Sequence, residues 1–191
     1  MKTLKTLRSK FAAFTLIELL VVISIIAVLA SLALPAVTGA LAKGQITQTT
    51  SNYRQLYVLT QSASLDSQSS GGAGAFPGDV GNQVQPWSNA LVPNYCSATT
   101  FQSLGSVKGQ GSNTTVWYVK GSDDSPTVFL STAGISGTSS NLAFASTGPY
   151  GAKGGALVTV GGSAISLTGS NSPILTNGTV LLSTNGSGSF Q

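Results

Sequence analysis

Nine Lys or Arg and five Asp or Glu in 191 residues leave only 7% of the chain charged, against about 25% in an ordinary soluble domain. The absence of histidine and the single cysteine, Cys96, exclude Ser-His-Asp triads, His-ligated zinc, intrachain disulfides and cysteine metal clusters. Four of the nine basic residues (Lys2, Lys5, Arg8, Lys10) fall in the first ten positions, and beyond them five basic side chains meet five acidic ones. The pI of about 9.4 therefore describes a short basic tail, not a folded nucleic-acid-binding face.

Residues 14–34, FTLIELLVVISIIAVLASLAL, are apolar all round a helix and end at Pro35. About 20 such residues span a bilayer core of roughly 30 Å, and the preceding basic residues orient the remainder outward. Glu18 interrupts the run, and an intramembrane carboxylate needs a partner. No Lys or Arg lies between Lys10 and Lys43. A cut just before Phe14 would create one, because the freed α-amine could meet Glu18 of a neighbouring copy. Two rival roles account for the run less well. A plain single-pass anchor gives no reason for Glu18. A secretory signal ending at Ala40-Leu41-Ala42 is expected to have a shorter apolar stretch without an acid.

The string Lys10-Phe11-Ala12-Ala13-Phe14-Thr15-Leu16-Ile17-Glu18-Leu19-Leu20-Val21-Val22 closely resembles the class III signal of type IV prepilins and type II secretion pseudopilins. The resemblance implies removal of the leader by a prepilin peptidase between Ala13 and Phe14, followed by N-methylation of Phe14. It implies that Glu18 sets subunit register in a filament, and that Pro35 marks a helix break where the helix loosens on assembly. Ala13 stands where the family normally has Gly.

Beyond Pro35 the helix is expected to resume. Ile46, Thr49, Tyr53, Leu56, Tyr57, Thr60 and Ala63 recur every three or four residues as one core-facing stripe, with Gln45, Gln48, Asn52, Gln55 and Gln61 on other faces. Pro35, Gly39 and Gly44 make 35–44 its weakest stretch. Ser69–Ala75 is a linker by composition, and Phe76-Pro77-Gly78-Asp79 reads as a turn behind an aromatic anchor. Residues 84–107 read as an irregular loop pinned by aromatics, with short helical turns. Strands are expected at 114–119, 127–130, 142–146, 156–160, 164–167 and 179–182, the first two joined as a hairpin and 160–163 forming a tight turn. The predicted fold is α+β and pilin-like: a long N-terminal helix, half transmembrane and half amphipathic, packed on a small antiparallel sheet. The expected divisions are a leader at 1–13, a membrane and filament-core helix at 14–34, its amphipathic continuation at 35–68, and a Gly/Ser/Thr-rich head at 69–191.

Few residues point to chemistry. Asp123 and Asp124 are the only metal candidates, and weak ones. Calcium takes about six to eight oxygens, and Lys153 is the only charged residue after Asp124, so a solvated turn is the favoured reading. The N-x-S/T matches at Asn113, Asn177 and Asn185 fit chance, Gly151–Gly155 lacks phosphate-loop spacing, and Cys96 reads as a free, partly buried thiol. Trp87, Trp117, Tyr53, Tyr57, Tyr95, Tyr118 and Tyr150 read as packing rather than a stacking surface. No cofactor and no enzymatic centre are expected.

The expected function is a structural subunit of a type II secretion pseudopilus or type IV pilus-like filament. The single cysteine favours the pseudopilus, because many pilus subunits close a C-terminal loop with a disulfide. Competing readings are a minor or tip adhesive or substrate-binding subunit, and a pilus subunit for motility or DNA uptake. The expected partners are other pilin-like subunits in a homo- or hetero-polymer, the prepilin peptidase/methyltransferase, an inner-membrane assembly platform and membrane lipid. A neutral head argues against nucleic acid held by electrostatics. The expected location is the bacterial inner membrane, single-pass with the head in the periplasm or outside, and then a periplasmic or extracellular filament.

Overall fold

The computed structural model describes residues 14–109, 114–138, 141–144, 148–168, 182–183 and 185–190. The fold is α+β: a long N-terminal helix and a small antiparallel five-stranded sheet. The chain divides into two compact units, Met1–Gly39 and Ala40–Gln191.

In the first unit, the start of α1 (Leu16–Ser69) carries the apolar run, and every residue from 14 to 38 is exposed. In the isolated chain the helix runs unbroken through Pro35. Proline lacks the N–H that would bond the carbonyl one turn back, yet the flanking helical residues hold the local geometry. The hydroxyls of this segment turn inward onto the helix itself. Ser24 donates to the Val21 carbonyl at 2.7 Å, Ser31 to Val28 at 2.8 Å and Thr38 to Pro35 at 3.0 Å. Such back-bonding hides polar atoms where water is absent.

In the second unit, α1 buries Ala42, Ile46, Thr49, Asn52, Tyr53, Leu56, Thr60, Ala63 and Ser64. This is the expected stripe with two corrections, the first being that Tyr57 is only half-buried at the edge of the core. The second is that Asn52 is buried rather than outward, its amide donating to the Ser103 carbonyl at 3.5 Å. Residues 84–107 are also more ordered than expected, forming α2 (Val84–Leu91) and α3 (Ala98–Gly105). Ser97 caps α3 by accepting from the Thr100 N–H at 3.1 Å. Trp87 and Leu91 of α2, with Phe101 and Leu104 of α3, complete amphipathic faces too short to stand out as periodic in the sequence.

The sheet order is β6-β5-β2-β1-β7, built from Ala164–Thr168, Gly154–Thr159, Val128–Thr132, Thr114–Trp117 and Ser187–Ser189. Both expected hairpins form, and the tight turn at 160–163 uses Gly162 at φ +80°. The candidate at 142–146 overlaps β4 (Asn141–Phe144), which pairs with β3 (Ile135–Thr138) as a separate ribbon. Most of the candidate at 179–182 lies outside the described residues, and Leu182 itself is not in a strand. Strands β3 and β7 were not anticipated.

Central strands β2 and β5 are buried throughout. An irregularity between Val128 and Leu130 sends both Phe129 and Leu130 into the cluster shared with α1, while Val128 joins Leu157 in a second cluster. Around Trp87 the rings of Phe101, Phe129 and Phe190 lie 5.1, 5.4 and 6.2 Å away, edge to face, and the indole N–H donates to Thr60 at 3.1 Å. This ties α2 to α1 and to the sheet.

Candidate functional site: the exposed apolar helix start

What the described residues of the first unit offer is surface. Phe14 is 73% exposed, Leu16 84% and Leu32 73%, and the intervening Leu, Ile and Val residues are similarly bare. Isolated exposed leucines are ordinary, but a whole helix of them demands lipid or other helices as its surroundings. By length and composition this segment is able to cross a membrane.

Glu18 has a partner close at hand. Its Oε2 accepts from the Thr15 backbone N–H at 2.9 Å and from the Thr15 hydroxyl at 2.6 Å, while the Glu18 N–H donates back to Thr15 Oγ1 at 3.3 Å. This reciprocal pattern is a capping box, in which two side chains satisfy N–H groups that the first helical turn leaves open. Thr15 is the residue that sequence reasoning passed over, although Thr-x-x-Glu before an apolar run is its signature. The box leaves one carboxylate oxygen, Oε1, without a protein hydrogen bond among the described residues, available to a cation. Phe14 lies next to it in the chain, and Ala13 is outside the described residues.

Residues 8–34 match the family model of the prokaryotic N-terminal methylation motif. The segment is the class III signal of type IV pilins and pseudopilins. No curated protein and no solved structure matches the chain. The pilin-type signal and the apolar helix together make this segment a membrane anchor, and the motif points to a structural subunit that polymerises with pilin-like partners after prepilin peptidase processing.

The remaining candidates sit in the second unit. Asp123 accepts from the Lys120 N–H at 2.9 Å, and the Asp124 carbonyl accepts from Thr127 N–H at 2.8 Å, so both are built into a β-turn region between β1 and β2. Among the described residues, no group of three or more potential metal ligands comes together. Asp79 closes the Phe76 turn and reaches across to accept from the Gly121 N–H at 3.1 Å. Burial pushes its carboxyl up from the ordinary value, against the pull of those N–H groups. Gly151–Lys153 is a 3-10 turn leading straight into β5, with none of the helix a phosphate loop requires. Asn113 and Asn177 are outside the described residues.

The aromatic residues divide by role. Tyr53, Trp87 and Tyr150 are buried. The Tyr150 hydroxyl is a junction, 2.8 Å from Thr49 Oγ1 and donating to the Lys108 carbonyl at 2.9 Å. Tyr95 donates to Asp66 at 2.6 Å, fastening the loop after α2 to α1. Cys96, beside it, is half-buried, and burial raises its thiol pKa, which makes it a slow nucleophile.

Proposed function

We propose that this chain is a structural subunit of a pilin-like filament. Its leader, residues 1–13, would be removed between Ala13 and Phe14, and Phe14 would then be N-methylated. The observation that carries this reading is the methylation motif lying on an apolar helix whose residues from 14 to 38 are all exposed. Such a helix is stable in lipid before assembly and among identical helices afterwards, so polymerisation exchanges one apolar environment for another. Glu18, anchored through Thr15, is positioned to meet the new α-amine of an adjacent copy, an ion pair whose loss would leave a buried charge unmatched. Residues 14–34 form the membrane span and filament core, 35–68 the continuation and 69–191 the head, which lies outside the inner membrane. In the filament the helix loosens at Pro35, where one backbone hydrogen bond is already missing.

Within this reading a type II secretion pseudopilus is favoured over a type IV pilus, since a chain with one cysteine closes no disulfide loop. The deciding measurement is the mass and N-terminal sequence of the mature chain. A start at Phe14 carrying an added methyl group is expected. A start at Lys43, after Ala40-Leu41-Ala42, would overturn the filament reading in favour of ordinary secretion.

A further inference from the structure

The acidic residues of the second unit are few enough to be followed one at a time. Asp66 is held by the Tyr95 hydroxyl, Asp79 by the Gly121 N–H and Asp123 by the Lys120 N–H. Asp124 is exposed, and its carboxylate has no partner among the described residues. Its turn is firm at the base: the Asp124 carbonyl accepts from Thr127 at 2.8 Å and the Ser125 carbonyl from Gly161 at 2.9 Å.

The complementary feature lies elsewhere on the same unit. A groove of about 600 Å³ runs between α1 and α3, with Val58, Leu59, Tyr95, Cys96 and Leu104 in its walls. Val58 is 53% exposed there. Arg54 stands at this groove, exposed and without an ion pair or hydrogen bond among the described residues. A guanidinium is weakly hydrated and grips a carboxylate with two parallel N–H groups, so beside an apolar wall it suits an incoming acid. An open polymer joins two different patches of one chain, whereas a closed dimer uses one patch twice. Groove and turn are two such surfaces, each presenting one unpaired charge, of opposite sign, among the described residues.

We infer that the groove beside Arg54 receives the Gly121–Pro126 turn of a second copy, with Asp124 of that copy paired to Arg54. The contact rests on the filament reading above. It adds a register between heads to the one set by Glu18.

Cys96 in the groove wall allows a direct test in cells making the full-length chain. The variant Ser122→Cys places a second thiol on the turn, and the sheared filament fraction is oxidised, or treated with a short bis-maleimide, at mildly alkaline pH. The expected result is a ladder of dimers, trimers and higher multimers of this chain. The wild type and the Ser122→Cys/Cys96→Ser double variant should stop at lower species without a ladder. Adding Arg54→Asp should weaken the ladder about fivefold or more, and adding Asp124→Arg to that chain should restore it. A ladder indifferent to Arg54→Asp overturns the ion pair. Filaments that contain the chain, begin at Phe14 and yield no ladder overturn the docking while leaving the filament reading intact. A single adduct with a different protein assigns the groove to another partner and likewise overturns it. A chain that never enters a filament and does not begin at Phe14 removes both.

Discussion

The two halves of α1 solve opposite problems with one backbone conformation. Residues 14–38 bury nothing, while from Ala42 onward the helix presents a stripe of nine buried residues. In both halves serine and threonine hydroxyls bond back within the helix, Thr47, Thr50, Thr60 and Ser62 included, but only the second half also sends hydroxyls out to the head. Ser24, Ser31 and Thr38 fold back onto carbonyls of their own helix. Tyr53 and Thr49 reach across to Thr114 at 2.7 Å and Tyr150 at 2.8 Å in the head. A helix face waiting for lipid or for other chains must satisfy its polar atoms internally; one that has met its own domain can share them. The difference lies in the few hydroxyls that leave the helix, Thr49 and Tyr53, which mark the face that has met its domain.

The strongest way to break this comparison is Glu18→Ala. It should abolish incorporation into filaments, measured as the chain recovered in the sheared fraction, while leaving the thermal melting of the head unchanged. Normal incorporation would remove the register role of Glu18 and leave the first half of α1 as a plain anchor. Leu56→Ala should act in the opposite sense. Leu56 is fully buried against the sheet, and the cavity should lower stability by about 2–5 kcal/mol in a melt of the full chain in detergent micelles, with membrane insertion unaffected. The smallest effect concerns Asp79. Its carboxyl has a raised pKa in the fold, so the folded chain binds more protons than the unfolded chain just above the ordinary aspartate pKa of 3.8. Stability contributed at this position is therefore present at acid pH and lost as pH rises through the folded pKa. Asp79→Asn should flatten that decline in a pH series of melts. An identical slope in wild type and variant would show that burial of Asp79 has no energetic weight.

Much of the first half was legible from the residues in order. The apolar run, Glu18 and Pro35 are local facts, and membrane insertion depends on local composition more than on distant contacts. The capping box is equally local, since Thr15 and Glu18 lie three residues apart in the order that the motif requires. The head was less legible. Strands β2 and β5 were visible as β-branched and aliphatic runs, but Ser187–Ser189 has no such signal. It becomes a strand because Phe190 stacks on Phe101 with ring centres 4.9 Å apart and its N–H donates to the Thr114 carbonyl at 2.9 Å, placing β7 beside β1. Residues 84–107 looked irregular because Trp87, Leu91, Phe101 and Leu104 each serve one or two turns of helix, too few for periodicity to emerge.

Sequence alone determined the signal, the apolar span, the continuing stripe and the near absence of charge, because each depends on residue type at fixed spacing along one helix. Tertiary structure alone decided the strand order, the burial of Asn52, the Tyr150 junction and which charges were left unmatched. Those depend on residues far apart in the chain arriving side by side, as Asp79 meets the Gly121 N–H while Asp124 is left facing outward.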